Sequence, residues 1–416
     1  MKKYLESIGK SSCKAFYSKV NNKEKNKVLK KFFNLIEKNK SKIIKQNKKD
    51  IYFAKRKGLR KNLIDRLELN DKKINEIIKS IKNIIKLKDP TNITLSKWKR
   101  PNGLTIKKVT IPIGVIGVIY ESRPNVTSDI SSLCFKSGNC VILRGGSEAY
   151  FSNKIISDLF RKALKDRKVD QNYVQFIESK NRKLVNLMLS NMKKYIDVII
   201  PRGGKNLVKK VQNISSVPII GHLEGVCHTY IDKDANLSFA KKIVHNAKLR
   251  NVSICGATET ILFHEKTLKN YVNPVLKKLQ ENNCIIYSDK KIKKIYKGKT
   301  LNATEKNWST EYLSAKVSVK SVKNVFEAVK HINKYGTMHT DAIISNNKKN
   351  TKYFLKNVKS SIAIHNSSTQ FADGGEFGFG GEVGISTNKL PPRGPVGLNQ
   401  LVTYKYEVLG SGQVRK

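Results

Sequence analysis

The chain is predicted to adopt an α/β fold built from two doubly wound parallel sheets. Three observations predict it: short, continuous apolar runs recur along the chain, segments of helical length separate most of them, and 416 residues are enough for two or three domains. Continuous apolar strands that alternate with helices are typical of parallel sheets covered on both faces.

The first ninety residues read as lysine-rich amphipathic helices. The clearest spans about 71–88, with one apolar stripe at helical spacing formed by Ile74, Ile77, Ile78, Ile81, Ile84 and Ile85. Pro90 follows and ends it. We expect the isoleucines to lie in the core and the lysines to face solvent.

Strands alternate with helices from about residue 109 onward. The first set of predicted strands is 115–120, 140–144, 173–177, 196–200, 217–220 and 229–231, with a helix at 126–137. A second set follows from about residue 235, at 260–263, 284–287, 316–319, 342–345 and 361–364. The tail at 401–408 alternates like an exposed strand, and its unpaired edge predicts pairing with a neighbouring subunit.

The formal net charge of +50 is the most conspicuous feature of the composition. The excess is nearly all lysine, spread over the whole chain, whereas nucleic-acid sites concentrate arginine and aromatic residues on one surface. A specific nucleic-acid function is therefore disfavoured, although nonspecific binding to polyanions is expected.

Other compositional features exclude several classes of protein. No apolar run approaches the roughly 20 residues that cross a bilayer, and the first residues lack the apolar stretch of a signal peptide, so we expect a cytoplasmic location without a membrane. The six cysteines are scattered without a CxxC pair, which argues against a disulfide framework, and no metal site is expected.

Two glycine-containing turns follow predicted strands. Residues 201–205 (PRGGK) lead into a helical segment, whose free N–H groups suit an anion, yet glycines serve a plain β-to-α turn equally well. Residues 144–148 (RGGSE) also lie at a strand end, where doubly wound sheets place ligands. Neither GxGxxG nor GxxxxGK[ST] occurs.

Cys255 lies between a segment of helical length and a strand. The cations Lys248 and Arg250 are near it in sequence and would favour a reactive thiolate, whereas a buried structural cysteine is the alternative. A second unusual segment, at 374–384, is too rich in glycine for a regular element. Its phenylalanines and acidic residues distinguish it from a flexible linker and predict a loop that bends sharply or approaches a partner.

Several of these segments, in this order, are similar to the γ-glutamyl phosphate reductase family, also called glutamate-5-semialdehyde dehydrogenases, of the aldehyde dehydrogenase superfamily. The similarity covers nearly the whole chain from about Tyr4. Its blocks are 112–127 (PIGVIGVIYESRPNVT), 199–204 (IIPRGG), 246–259 (NAKLRNVSICGATE), 308–313 (WSTEYL), 382–387 (EVGIST) and 393–395 (RGP).

The resemblance implies an aldehyde-dehydrogenase-like fold with a cofactor domain, a catalytic domain and an oligomerisation hairpin. We expect the NADP-binding domain with the N-terminal helices at 1–235, and a hairpin near 124–145 that joins the oligomerisation part. The catalytic domain is expected at 236–360, and a return segment with the oligomerisation strand at 361–416.

The resemblance also implies NADPH-dependent reduction of L-glutamyl 5-phosphate to L-glutamate 5-semialdehyde with release of phosphate, the second step of proline biosynthesis from glutamate. Cys255 matches the family nucleophile, which forms a thioester with the substrate. The implied partners are the small-molecule substrate, further copies of the chain and the preceding glutamate 5-kinase, although no segment of the sequence points directly to the kinase.

Site residues follow from the matching blocks and from the wider superfamily. Asn125 and the backbone N–H of Cys255 are the expected oxyanion donors. The expected cofactor contacts are Arg144, Ser147, Glu148, Arg202, Gly203, Gly204 and Glu311, the last on the nicotinamide ribose. Arg123 and Arg393 are hypotheses for the anionic groups of the substrate. Glu224 lies near the general base of hydrolytic members, which a reaction with phosphate does not require.

The chain departs from the family pattern beside the nucleophile, where Val252-Ser253 replaces a usual Pro-Gly and Gly256 replaces Asn. Reduced activity or an altered loop is therefore expected. Two alternatives stay open: an oxidative aldehyde dehydrogenase acting on another substrate, and a polyanion-binding protein on this scaffold.

Overall fold

A computed structural model describes residues 1–121 and 123–415, apart from the side chain of Asn62. Ser122, in the block 112–127, lies outside the described residues. The chain divides into two compact units: Met1–Gly221, Gly378–Gly384 and Val396–Lys416 form unit 1, and His222–Phe377 and Ile385–Pro395 form unit 2. Each has its own parallel sheet.

The helices are α1 (Lys2–Tyr17), α2 (Asn22–Lys38), α3 (Lys40–Arg56), α4 (Lys61–Leu67), α5 (Asp71–Lys86), α6 (Pro124–Lys136), α7 (Tyr150–Asp166), α8 (Lys183–Asn191), α9 (Lys205–Ile214), α10 (Leu237–Leu249), α11 (Leu268–Gln280), α12 (Lys290–Ile295), α13 (Glu305–Trp308), α14 (Val325–Tyr335) and α15 (Lys348–Asn357). Short 3-10 helices span Ser147–Ala149, Gln171–Tyr173, Glu265–Thr267, Thr369–Phe371 and Leu398–Gln400. None of the described helices is long and apolar enough to cross a membrane.

The strands are β1 (Thr94–Lys99), β2 (Thr105–Pro112), β3 (Val115–Tyr120), β4 (Cys140–Gly145), β5 (Val174–Phe176), β6 (Val198–Arg202), β7 (Cys227–Ile231), β8 (Thr258–His264), β9 (Ile285–Ser288), β10 (Leu301–Asn302), β11 (Lys316–Val322), β12 (Thr340–Ile344), β13 (Ile362–His365), β14 (Gly384–Ser386), β15 (Gly394–Val396) and β16 (Val402–Leu409).

The core of unit 1 is a four-stranded parallel sheet of order β5-β4-β3-β6. Every residue of β3 and β4 is buried, which explains why their sequences are apolar without alternation. Helix α5 buries Ile74, Ile77, Ile78, Ile81 and Ile84 of the predicted stripe in the same core, while Ile85 packs against it half-buried. The predicted parallel α/β architecture is confirmed here.

Three expectations for this part of the chain are wrong. Residues 124–145 form helix α6 and the buried strand β4, and the hairpin is made instead by β1 and β2 at 94–112. Residues 217–220 contribute only an isolated bridge between Ile199 and Ile219. Strand β7, predicted in the first set, pairs with β8 and β12 in unit 2. Local sequence does not determine which strands become neighbours, so the prediction placed β7 in the wrong set.

A three-stranded antiparallel sheet of order β1-β2-β16 also belongs to unit 1. The tail strand β16 pairs with β2 along its whole length, from Val402 opposite Pro112 to Leu409 opposite Thr105. No described strand pairs with its other edge. The sheet exposes Leu95, Trp98, Tyr404, Tyr406, Val408 and Leu409.

Unit 2 contains a seven-stranded sheet of order β10-β9-β11-β8-β7-β12-β13, and all its neighbouring pairs are parallel. Strands β7, β8 and β12 lie side by side and are completely buried. The register between β7 and β8 shifts after Cys227, so that β8 carries one extra residue, Glu259. Such bulges re-aim side chains next to functional sites.

Candidate active site

Cys255 lies on the turn between α10 and β8, three residues before Thr258, the first residue of the strand. Because β8, β7 and β12 are adjacent and parallel, the residues that precede them meet at the same edge of the sheet of unit 2. The segments ending in Gly225-Val226 and in His339 precede β7 and β12. The fold therefore brings three segments that are distant in sequence around the Cys255 turn.

The backbone of the Cys255 turn is fixed by its closest neighbours. The backbone N–H of Ala257 donates to the carbonyl of Ile254 across 3.0 Å, and the thiol of Cys227 donates to the carbonyl of Cys255 across 3.1 Å. Burial raises the pKa of Cys227 well above its usual value, which keeps this thiol protonated as a donor. Cys255 itself is half-buried and accessible for chemistry.

Gly225 packs directly against the backbone of the Cys255 turn. A Cβ atom at Gly225 would lie 2.1 Å from the carbonyl oxygen of Cys255 and 2.8 Å from its Cβ. The backbone N–H of Gly225 donates to Oε1 of Glu311 across 2.8 Å. Glu311, expected to hold the nicotinamide ribose, thus also fixes the segment before β7 that packs against Cys255.

Two histidines flank Cys255. One ligand-capable atom of each of His222, His339 and Cys255 lies within 4.8 Å of the other two, and the imidazole centroids are 4.8 Å apart. Nδ1 of His222 lies 2.8 Å from the carbonyl of Ile385. Since a carbonyl only accepts hydrogen bonds, Nδ1 carries the hydrogen, and in the neutral ring Nε2 carries the lone pair.

The ring of His339 is completely buried. Its Nδ1 contacts the hydroxyl of Thr340 at 2.9 Å and the sulphur of Cys227 at 3.5 Å. Its Nε2 has no hydrogen-bond partner among the described residues, although it is inaccessible to solvent. A buried polar atom of this kind calls for a function or a ligand.

The cations expected to favour the thiolate are engaged with other groups. Nζ of Lys248 forms a fully buried ion pair with Oε2 of Glu259, and Nε of Arg250 donates to the side-chain oxygen of Gln370 across 2.8 Å. The other oxygen of Glu259 accepts the backbone N–H of Leu313 at 3.2 Å. Burial raises the pKa of Glu259 to about 7 even though Lys248 lowers it. These contacts therefore stabilise the Cys255 turn.

The departures from the family pattern beside Cys255 have a local structural explanation. Gly256 is buried, and a Cβ atom there would lie 3.2 Å from the carbonyl oxygen of Thr369, which is tighter than ordinary contact. The backbone N–H and the hydroxyl of Ser253 both donate to the side chain of Asn251, at 3.1 and 2.9 Å. This Asx turn closes the loop without the usual Pro-Gly pair.

The turn at 202–204, in unit 1, is occupied by the protein's own carboxylate. Gly204 precedes α9, and its backbone N–H donates to Oε2 of Glu121 across 2.9 Å. A Cβ atom on Gly203 would lie 2.6 Å from the same carboxyl group. Arg202 forms an ion pair with Glu382 at 3.0 Å. The helix N-terminus thus holds an anion, but one from the chain itself.

The other proposed cofactor residues in unit 1 lie at the end of β4. The guanidinium of Arg144 is buried, donates to the carbonyls of Gly145 and Lys180, and leaves its Nε without a partner among the described residues. Burial lowers the pKa of Arg144. The hydroxyl of Ser147 donates to Glu148 across 2.9 Å, so these two side chains form a half-buried polar pair.

Of the proposed substrate residues, Arg123 lies in unit 1 together with the proposed oxyanion donor Asn125. Both line a cavity of about 370 Å³, in which the amide of Asn125 donates to Asp129 across 3.2 Å. Arg393 is exposed on unit 2 and donates to the carbonyl of Lys359 across 2.7 Å. Glu224 is half-buried in unit 2, between His222 and Gly225 in sequence.

Sequence reasoning missed His222, Gly225, Cys227, Glu259 and His339. A signal existed for some of them, because short polar segments directly before buried strands β7 and β12 meet at one edge of a parallel sheet. The strand order, which makes β7, β8 and β12 neighbours, was the missing information.

Comparison with known proteins defines the class first. The sequence model of the aldehyde dehydrogenase family matches residues 5–285, about two thirds of the chain. This class agrees with the doubly wound sheets and with a cysteine on a turn at a sheet edge.

More similar relatives define the particular family. γ-Glutamyl phosphate reductases from Bartonella quintana and Dictyoglomus thermophilum are each 45% identical to this chain; the former match covers 96% of this chain and 97% of the relative, and the latter 96% of each. The crystal structure of the γ-glutamyl phosphate reductase from Thermotoga maritima has a TM-score of 0.96 at 40% identity, covering 99% of this chain and 100% of that one. The chain belongs to the γ-glutamyl phosphate reductase family, and the predicted fold and family are confirmed.

Proposed function

We propose that this enzyme reduces L-glutamyl 5-phosphate to L-glutamate 5-semialdehyde and releases phosphate, as the second step of proline biosynthesis from glutamate. The observation that carries the proposal is similarity over nearly the full length to γ-glutamyl phosphate reductases at 45% identity, with a half-buried cysteine on a tightly held turn. The aldehyde dehydrogenase family membership supports a nicotinamide cofactor, and we propose NADPH.

Cys255 is the proposed nucleophile. Its thiolate attacks the carbonyl carbon of the acyl phosphate, the carbon–oxygen bond to phosphate breaks, and a thioester remains on the enzyme. A nicotinamide cofactor, when bound, would supply the hydride for reduction of this thioester. Collapse of the resulting hemithioacetal releases the aldehyde and returns the thiolate.

The tetrahedral species on this route each carry an oxyanion that needs hydrogen-bond donors. The proposed donors are the backbone N–H of Cys255 and the amide of Asn125. That amide donates to Asp129, and because a primary amide carries two hydrogens, it can in principle donate to a second acceptor as well. Arg123 and Arg393 remain the proposed partners of the anionic substrate groups.

The chemistry of the proposed cofactor residues fits a dinucleotide. A carboxylate such as that of Glu311 accepts hydrogen bonds from ribose hydroxyls, and backbone N–H groups at the start of α9, next to Gly203 and Gly204, donate to phosphates. Arg202, Arg144, Ser147 and Glu148 complete the proposed set. A phosphate at this turn would compete with the Glu121 carboxylate for the N–H of Gly204.

The domain roles and the assembly are parts of the same proposal. Unit 1 would hold the cofactor and unit 2 the nucleophile. A homo-oligomer would pair the free edge of β16 and cover the exposed Trp98 and Tyr406. Light scattering should give a multiple of 47.1 kDa, and Val408→Lys should shift it toward the monomer.

The partner kinase and the cytoplasmic location remain predictions. Acyl phosphates are labile, so direct transfer from glutamate 5-kinase would protect the substrate. If the kinase makes labelled L-glutamyl 5-phosphate and transfers it directly, unlabelled L-glutamyl 5-phosphate added to the solution should not lower the labelled fraction of the product. Full dilution would instead show release into bulk solvent.

The function is tested in the reverse direction, which avoids the unstable acyl phosphate. L-Glutamate 5-semialdehyde and NADP⁺ should give NADPH only when phosphate is added, and Cys255→Ser should abolish this turnover. Cys13→Ser, another half-buried thiol, is the matched control and should keep it. Phosphate-independent turnover would support an oxidative aldehyde dehydrogenase instead, and polyanion binding without turnover would support the scaffold alternative.

A further inference from the structure

Three potential metal ligands converge at the Cys255 turn. The sulphur of Cys255 and one ring nitrogen each of His222 and His339 lie within 4.8 Å of one another. All three belong to unit 2, and each comes from a segment near the start of one of the adjacent strands β8, β7 and β12. The proposed thioester chemistry makes no use of the two imidazoles.

One thiolate and two imidazoles are a donor set that Zn²⁺ and similar thiophilic divalent cations prefer. Tetrahedral zinc bonds of about 2.3 Å to sulphur and about 2.0–2.1 Å to nitrogen place the ligand atoms roughly 3.3–3.6 Å apart. Because the present separations are at most 4.8 Å, they exceed these distances by at most about 1.5 Å, which side-chain rotation can supply.

Two further observations point to a ligand. Nε2 of His339 is fully buried and has no hydrogen-bond partner among the described residues. His222 donates from Nδ1 to the carbonyl of Ile385, an outer-shell contact of the kind that orients metal-binding histidines and leaves Nε2 with the lone pair.

We propose that Cys255, His222 and His339 bind a thiophilic divalent cation, represented by Zn²⁺, and that the bound ion reversibly inhibits the enzyme. On binding, the S–H bond of Cys255 breaks, its proton passes to solvent, and a sulphur lone pair forms the bond to the metal, with no change of oxidation state. A coordinated sulphur cannot attack a carbonyl. Metal binding is independent of the proposed function, whereas inhibition rests on it.

Binding is tested with Co²⁺, a spectroscopically visible substitute for Zn²⁺. Wild type should show a thiolate-to-Co²⁺ charge-transfer band that Zn²⁺ abolishes, and Cys255→Ser should lack it. His222→Asn and His339→Asn keep a donor near the Nδ1 position but remove Nε2. Each should weaken Zn²⁺ binding, measured by competition with a chromophoric chelator, by at least about 100-fold, since loss of an outer-shell partner alone costs roughly 10–100-fold.

Matched controls lie outside the cluster. His245→Asn makes the same chemical change on α10, and Cys13→Ser removes a half-buried thiol of unit 1; both should bind Zn²⁺ as wild type does. Absence of the charge-transfer band overturns the proposal. So does unchanged Zn²⁺ affinity in His222→Asn, which stays informative even if the buried His339 variant misfolds.

Inhibition is measured separately, in the phosphate-dependent reverse assay with buffered free Zn²⁺. Inhibition should follow the measured affinity and disappear on adding a chelator. A charge-transfer band in an enzyme that shows no turnover without metal would refute the proposed function and leave the metal site intact. Turnover without the band would refute the metal site alone.

Discussion

The turn at 202–204 in unit 1 and the Cys255 turn in unit 2 are built in opposite ways. The first follows β6, and the exposed carboxylate of Glu121, which follows the neighbouring strand β3, accepts the backbone N–H of Gly204 and caps α9. The second depends on backbone contact with Gly225 and on the buried pair of Lys248 and Glu259. Substitutions should therefore be tolerated at the first turn and damaging at the second.

The largest effect is expected from Lys248→Ala, which leaves the fully buried carboxylate of Glu259 without its cation. The free energy of unfolding should fall by about 3–5 kcal/mol in urea denaturation at pH 8. Lys277→Ala, in an exposed pair with Glu281, should change it by less than about 0.5 kcal/mol. Equal losses of unfolding free energy in the two variants would show that the buried pair stabilises the fold no more than the exposed pair does.

The pH dependence of stability should carry the signature of Glu259. Burial raises the pKa of its carboxyl to about 7, so the folded state binds this proton more tightly than the unfolded chain, where the pKa is near 4.5. The stability of wild type relative to Glu259→Gln should be highest below about pH 4.5. It should decline by up to about 3 kcal/mol as the pH rises through 7. A flat difference across this range would contradict the assignment.

The same substitution at each turn, Gly225→Ala and Gly203→Ala, compares the two turns directly. At Gly225 the new methyl meets backbone atoms of Cys255, and if Cys255 is the nucleophile as proposed, a shift of about 1 Å there should lower kcat about 100-fold. At Gly203 the nearest atoms belong to the side chains of Glu121 and Leu207 and not to backbone, so kcat should fall less than about tenfold. Similar kcat losses in the two variants would show that the turns are equally constrained.

The smallest effect is expected from Glu121→Gln. Its carboxylate is exposed and acts at a helix N-terminus, where such a charge contributes about 0.3–1 kcal/mol. The urea unfolding free energy should fall by no more than that, and Glu281→Gln, in a long exposed pair, provides the baseline. A loss above about 2 kcal/mol would mean that the 202–204 turn is as dependent on charge as the Cys255 turn.

The same contrast explains what sequence could predict. Apolar runs 115–120 and 140–144 appear as β3 and β4 with almost the predicted bounds, because complete burial in a parallel sheet demands continuous apolar residues. Strand order is not local information, so the sequence predicts β7 in the wrong sheet and a hairpin at 124–145, where the structure has α6 and β4.

The residues of the candidate site also fall into two groups: those that contiguous sequence predicts and those that only the strand order reveals. Cys255, Gly203 and Gly204 are site predictions that contiguous sequence blocks supply. His222, His339 and Gly225 are not, since only the side-by-side arrangement of β8, β7 and β12 places them at the cysteine. Lys248 was predicted to favour the thiolate, but the bulge at Glu259 supplies it with a buried partner.

Trapping the acyl-enzyme shows whether Cys255 carries the acyl group. Incubation with L-glutamate 5-semialdehyde and NADP⁺ without phosphate should release one NADPH per active site. Peptide mass spectrometry should then find a glutamyl thioester on Cys255 that phosphate removes. An acyl group on another residue, or steady NADPH production without phosphate and without acylated Cys255, would contradict the account.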